Sequence, residues 1–342
     1  VKMNAISKLL GVTGLASALA FGGAEAQTVL TLNSWLPPSH PQVAQLMVPF
    51  AEDVARVTEG RVQIQILPAP LGPPSAAFDL ALNGVADITY SVQGYTPGRF
   101  RTAALAELPF LSDDAVVSSV AYWRVQDAML AQAGEYAGVK VLSVFTHGPG
   151  EIFSSSPIES VDDIDGLKIR VGSTVAHDLA TLLGAVPIEG PSSRAYELLS
   201  QGVADGIFFP FETVNFFNLQ DLVSSAFTAP GGLYNTAMFM VMNQGAWDRL
   251  SAEDQAAIEP LLGEALARRA GEMWNAADAA GRAAMEDSVT LHQATEADVA
   301  QLRARFAPVV AANLALVSET GVDGAAAYQM LQDEVAALEA GH

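Results

Sequence analysis

Short runs of alternating apolar and polar residues take turns along this chain with stretches whose apolar residues recur at helical spacing. Val29-Leu30-Thr31-Leu32 alternates as a strand, and Trp35 to His40 is a Pro-rich loop. Pro41 stands where a helix can start, because proline suits the first helical turn. Val43, Leu46, Met47, Phe50, Val54 and Val57 then follow at helical period until Gly60. Val62 to Ile66 alternates as a half-buried strand. The unit repeats: a helix carrying Phe78, Leu80, Leu82 and Val85 ends near Asn83-Gly84, and a strand follows at Ala86 to Tyr90. Further strands are predicted at Val139 to Phe145, Leu167 to Val171 and Met238 to Met242. Ser251 is a good N-cap with acidic residues in the turn behind it. It opens a long Ala-rich helical stretch that runs past Glu286, with a kink expected at Pro260. More helix is predicted from Ala297 to Val317 and from Asp323 to Leu338.

Strands that alternate with helices predict an α/β fold with mostly parallel sheets, and such sheets bind ligands at the carboxyl ends of their strands. No repeat or low-complexity linker divides the chain. Two lobes joined by crossing strands and one long helix fit this continuity better than two beads on a string.

The N-terminus changes the compartment. A short basic segment to Lys8, an apolar run from Leu9 to Phe21 and Ala24-Glu25-Ala26 read as a cleavable signal peptide over residues 1–26. The apolar run is shorter than the ~20 residues that span a bilayer. The expected protein is therefore exported to the periplasm. The 342 residues contain no cysteine, which removes thiolate catalysis and thiolate metal sites. A net charge of -21 excludes nucleic acid as a partner, since that needs a basic footprint. The same charge poses a problem for an anionic ligand, which would need a local positive site built against the protein's own field. Among the five histidines, 40, 147, 177, 292 and 342, none forms H-E-x-x-H. No G-x-S-x-G elbow, Walker A loop or Rossmann glycine pattern occurs, so neither an enzyme nor a cofactor or metal is expected.

One segment is specific: Asp162-Asp163-Ile164-Asp165-Gly166-Leu167-Lys168-Ile169-Arg170-Val171, followed by Gly184-Ala185-Val186-Pro187 and Gly202-Val203-Ala204-Asp205-Gly206. With Trp35, Pro37-Pro38, His40-Pro41, Gly84-Val85-Ala86-Asp87, Leu108-Pro109-Phe110-Leu111 and Val241-Met242-Asn243 in order, the mature chain resembles the solute-binding subunits of tripartite ATP-independent periplasmic (TRAP) transporters. The resemblance implies a two-lobed periplasmic binding protein that closes as a hinged trap, each lobe a mostly parallel sheet flanked by helices. The lobe boundaries expected are 27–146 with 236–277, and 147–235 with 278–342. It further implies a monomer that hands a small organic carboxylate to one small and one large membrane subunit; a sensor partner is the alternative.

In that family the arginine of the D-D-x-x-G-L-K-I-R-V segment binds the ligand carboxylate, which implies Arg170 here. A guanidinium fork meets a carboxylate in two parallel charge-assisted hydrogen bonds. Sialic-acid-binding members carry a second arginine and a cleft asparagine; those positions fall at or beside Gly150 and at Phe209. Two polar contacts are replaced by an aromatic wall within Phe208-Phe209-Pro210-Phe211. This leans toward an aromatic or apolar monocarboxylate, ahead of short hydroxy or keto acids and of C4-dicarboxylates. Strand-end loops supply the remaining candidates: Trp35, Ser39, His40, Gln93, Tyr95, His147, Tyr234 and Asn235. Glu212 would repel a carboxylate, so it is expected to pair with a backbone group or a hydroxyl.

Overall fold

The computed structural model describes residues 27–341, so the leader read at residues 1–26 lies outside the described residues. Two sheets organise the chain. The first holds β1 (Thr28–Asn33), β2 (Val62–Ile66), β3 (Ile88–Val92), β4 (Val139–Thr146) and β10 (Ala237–Asn243) in the order β2-β1-β3-β10-β4. The second holds β5 (Glu151–Ser154), β6 (Lys168–Val171), β7 (Val186–Glu189), β8 (Gly206–Phe209), β9 (Ser225–Thr228) and β11 (Thr290–Gln293) in the order β11-β9-β5-β8-β6-β7. The helices are α1 (Val48–Val57), α2 (Ala77–Leu82), α3 (Ala104–Glu107), α4 (Ala115–Ala128), α5 (Thr174–Leu182), α6 (Ala195–Ser200), α7 (Phe211–Phe216), α8 (Gln244–Asp248), α9 (Ala252–Ile258), α10 (Glu264–Met285), α11 (Glu296–Ser318) and α12 (Gly324–Ala340).

The alternation read from the sequence is the alternation of the core. In β10, Met238, Met240 and Met242 enter a cluster with Leu30, Tyr90 and Phe145, while Phe239 and Val241 face a second cluster with Phe78 and Phe100. Period-two side chains buried on both faces explain why this strand is apolar throughout. Ser251 caps α9 as expected, accepting the Asp254 N–H at 3.0 Å.

Each sheet is mostly parallel, as expected, with one reversed strand: β10 runs antiparallel to β3 and β4, and β5 runs antiparallel to β8 and β9. These are the strands by which the chain passes between lobes, and a strand returning from the far lobe enters its sheet from the opposite end. Two expectations need correction. The Ala-rich stretch is broken, not kinked. Pro260 sits in a separate turn at Glu259–Leu261, and Gly263, at φ 60°, starts α10 afresh. A Cβ at Gly263 would lie 2.8 Å from the Trp123 ring. Finally, α12 falls in the stretch assigned to the second lobe at 278–342 but packs on α3 and α4 of the first. Its Ala327, Leu331 and Val335 join the cluster that includes Val117 and Ala121. An apolar stripe states that a helix is covered, not by which lobe.

Two segments, 147–150 and 229–236, connect the sheets, and an antiparallel bridge between Gly150 and Tyr234 ties them together. The third connection is α10, which packs on α4 and β4 of the first lobe and on α7 of the second. Two glycines permit this double contact. A Cβ at Gly271 would lie 2.4 Å from Val116 Cα, and one at Gly281 would lie 2.5 Å from the Phe211 carbonyl oxygen. In an exposed helix Gly→Ala gains up to about 1 kcal/mol. Here the added methyl meets backbone that cannot step aside, and overpacking of that kind costs about 1–3 kcal/mol. Gly271→Ala is therefore expected to lower stability, read as a lower urea midpoint at unchanged slope; an unchanged or raised midpoint would show that α10 does not need this close approach.

Candidate functional site

The connections leave a cleft between the lobes, and the structure holds it shut. Tyr95, from the loop after β3, accepts the Ser192 N–H at 2.9 Å from the loop after β7. Gly94 lies so close to the second lobe that a Cβ there would sit 2.5 Å from Ser173 Cβ. Inside this contact is a cavity. The first lobe lines it with Trp35, His40, Gln42, Tyr90, Tyr95 and Met238, the second with Arg170, Ser192, Phe209, Thr213 and Phe217. His147 and Tyr234 come from the connecting segments and Trp274 from α10.

Arg170 dominates the electrostatics. It is 2% exposed, at the end of β6. Its Nε and Nη2 donate to the Gly190 carbonyl at 2.9 and 2.6 Å, and Nη1 reaches the Phe208 carbonyl at 3.5 Å. The guanidinium lies 4.6 Å from the centre of the Phe209 ring. Among the described residues no carboxylate pairs with it. Two carbonyl dipoles and a ring face fix its orientation but do not neutralise it. A buried charge without a counter-ion costs several kcal/mol in general, so the guanidinium is left with unused electrostatic capacity facing the cavity.

The acids near the cavity are kept from competing. Burial raises the Glu212 carboxyl to about 8. It accepts the Thr213 hydroxyl at 2.9 Å, the hydroxyl pairing expected of it. His40 Nε2 lies 3.5 Å from the other Glu212 oxygen. Burial lowers His40 to about 3, and its Nδ1 accepts the Gln42 N–H at 3.2 Å. The contact therefore joins two neutral groups across the lobes and is not an ion pair. Asp278 of α10, which accepts the Glu212 N–H at 2.8 Å, and Glu107 of α3 are each raised by burial to about 7. Burial, with the Arg170 charge adding to it, lowers His147 to about 4. His147 touches the Gly148 carbonyl through Nδ1.

Arg170, Phe209, Trp35, His40, Tyr95, His147 and Tyr234 thus share one cavity. Three candidates stand apart. Gln93 is buried, but its amide binds the Tyr122 hydroxyl at 2.9 Å and that of Tyr136, inside the first lobe. Asn235 caps its own neighbour, accepting the Thr236 N–H at 2.8 Å, and Ser39 is exposed. A strand-end position does not say which way its side chain turns. Gly150, the place of the second arginine, is filled by its neighbour: a Cβ there would lie 2.2 Å from the Tyr234 ring. Sequence reading missed Trp274, Tyr90 and Gln42; Phe217 continues the aromatic run of Phe208 to Phe211. The helical stripe of α10 signals a core Trp274, and only the closed lobes turn that core residue into a cavity wall.

Residues 32–315 match the family model described as bacterial extracellular solute-binding protein, family 7. The chain is 30% identical over 330 residues to an outer membrane transporter protein, TsaT, of Comamonas testosteroni, covering 96% of this chain and 98% of that one. It superposes at TM-score 0.88 and 39% identity on a TRAP periplasmic solute-binding protein from Bordetella bronchiseptica with bound (R)- and (S)-mandelate, covering 91% and 99% of the two chains. At TM-score 0.86 and 32% identity, with 91% and 99% covered, it matches a marine metagenome TRAP solute-binding protein specific for aromatic acids, in complex with metahydroxyphenylacetate.

The raised carboxyls set a pH dependence. Glu107, Glu212 and Asp278 hold protons in the fold at values above the roughly 4 of an unfolded chain. Their stabilisation is complete below the unfolded value and is lost as pH rises through about 7 to 8. His40 and His147, depressed, act oppositely, but their contribution is already full above about pH 6.5. The thermal midpoint should therefore fall between about pH 6.5 and about pH 8.5. Glu212→Gln should flatten that slope; a midpoint that rises over this range would contradict the assignment.

Proposed function

The chain belongs to the bacterial extracellular solute-binding proteins of family 7, the solute-binding proteins of TRAP transporters, and within that family we propose that it captures an aromatic monocarboxylate. The observation that carries this reading is Arg170, a buried cation with no carboxylate partner among the described residues, set over the Phe209 ring. The ligand carboxylate supplies the missing counter-ion through the free part of the guanidinium fork, where two charge-assisted hydrogen bonds are available. Around it, Phe209, Phe217, Trp35, Tyr90, Tyr234 and Trp274 offer ring faces and edges to a flat apolar body. Gly150 and Phe209 stand where sialic-acid-binding members carry polar side chains, so a second carboxylate or a polyol chain would enter without partners. That two similar proteins of known structure hold mandelate and metahydroxyphenylacetate supports the same class.

Capture proceeds by closure. In an open form the lobes part about segments 147–150 and 229–236, and Arg170 is hydrated. Binding brings Tyr95 to Ser192 and removes water, which strengthens the Arg–carboxylate pair. We further propose that the chain reaches the periplasm through the leader at residues 1–26, acts as a monomer, and presents the closed form to one small and one large membrane subunit.

Two substitutions separate anchoring from selection. Losing one member of a buried charge pair costs about 2–5 kcal/mol, so Arg170→Ala should weaken phenylacetate binding by roughly 30-fold to several-thousand-fold. Arg170→Lys should also bind poorly, since a point charge does not reproduce the fork. Phe209→Ala should weaken phenylacetate more than acetate, because only the larger acid reaches the wall. Calorimetric titration of both variants checks this. Wild-type affinity in Arg170→Ala would remove the anchor, and equal losses for both acids in Phe209→Ala would remove the selecting wall. Small-angle scattering should show compaction on saturation with phenylacetate; an unchanged radius of gyration would argue against closure.

A further inference from the structure

The cavity contains an acceptor and a donor that the carboxylate anchor does not use. His147, 3% exposed, turns Nδ1 to the Gly148 carbonyl, which places its one proton there and leaves a lone pair on Nε2. Nε2 is buried and has no hydrogen-bond partner among the described residues. Trp274, 2% exposed, likewise buries an unpartnered Nε1–H. The two rings meet edge to face with centroids 5.8 Å apart, and both line the cavity. The imidazole can only accept and the indole can only donate.

A group that satisfies both must donate one hydrogen bond and accept another. A carboxylate cannot donate to Nε2. An ammonium cannot accept from the indole, and it would be repelled by Arg170. A hydroxyl does both. Its position on the ligand follows from the packing at one end of the cavity: Arg170 Nη1 reaches the Phe208 carbonyl at 3.5 Å, the Phe208 ring stacks on Tyr234 with centroids 5.0 Å apart, and the Tyr234 ring meets His147 edge to face at 5.5 Å, so imidazole and guanidinium line the same end. We propose that His147 and Trp274 form a hydroxyl-recognition site, and that they make the protein selective for 2-hydroxy aromatic acids over the same acids lacking the hydroxyl. This rests on the aromatic-acid reading above and names the substituent that reading leaves open.

The discrimination is large in principle, because a site built around a hydroxyl leaves two buried groups unpaired when the ligand lacks it. The test is calorimetric titration of the purified protein with mandelate and with phenylacetate, which differ only in that hydroxyl. Mandelate should bind about tenfold tighter or more. His147→Phe should bring the ratio close to one. His147→Gln, whose amide oxygen can stand where Nε2 stands, should retain part of the preference. Trp274→Phe removes only the donor and should reduce the ratio without abolishing it. If His147→Phe does not fold, the Gln and Trp274 variants carry the comparison. Equal affinity of the wild type for both acids would overturn the inference while leaving the aromatic-acid reading intact, since a trapped water would then serve both groups. A mandelate preference that survives both His147→Phe and Trp274→Phe would overturn it too. Binding of neither acid would sink both readings together.

Discussion

The whole arrangement depends on keeping one guanidinium charged and dry. Arg170 is removed from water at the end of β6 with two backbone carbonyls and an aromatic face around it, and among the described residues no carboxylate neutralises it. Had an Asp or Glu been paired with Arg170, a ligand carboxylate would have to displace it and leave a second buried charge behind. Carbonyl oxygens avoid that competition. They hold the fork by partial charges, so the strongest partner the guanidinium can find is an incoming anion. If an anion enters as proposed, its charge stabilises the closed cleft more than the open one, and occupancy is coupled to closure.

The scaffold serves that coupling. Each lobe carries part of the cavity, so neither lobe alone encloses a ligand. The connecting segments contribute His147 and Tyr234, and α10 contributes Trp274. The elements that join the two lobes therefore also line the cavity between them. Gly150 shows how closely these roles are joined: its missing side chain admits the Tyr234 ring, which forms part of the wall, while its backbone N–H donates to the Tyr234 carbonyl at 3.0 Å and ties the two connecting segments.

Much of this is legible in the sequence, for identifiable reasons. The period-two burial of β10 and the cap at Ser251 are local effects, so the residues themselves reveal them. Arg170 and Phe209 could be singled out because a motif fixes their register and strand alternation then separates Phe209 from Phe208: Phe209 packs with Ile207, and Phe208 faces the opposite cluster. What resisted was long-range. The direction of a loop side chain, as at Gln93 and Asn235, is decided by partners such as Tyr122 that lie far along the chain. The lobe to which α12 belongs is decided by α3 and α4, and the role of Trp274 by a cleft that exists only when two lobes meet. Periodicity reports that a residue is covered and is silent about what covers it.

A strongly acidic protein that keeps a buried, unpaired cation has its field organised by depth. The net charge of -21 comes from carboxylates that are for the most part at the surface, where water and salt screen them within roughly 8 Å. The dangerous acids are the buried ones near the cleft, where screening fails. Burial raises Glu107, Glu151, Glu212 and Asp278 in the direction of the neutral acid. The desolvation that makes Arg170 so demanding of a counter-ion thus also reduces the charge on the acids that would repel that counter-ion. Arginine does not yield in the same way, since its guanidinium stays charged in proteins. One physical effect, applied to groups with very different proton affinities, leaves a positive site inside a negative protein.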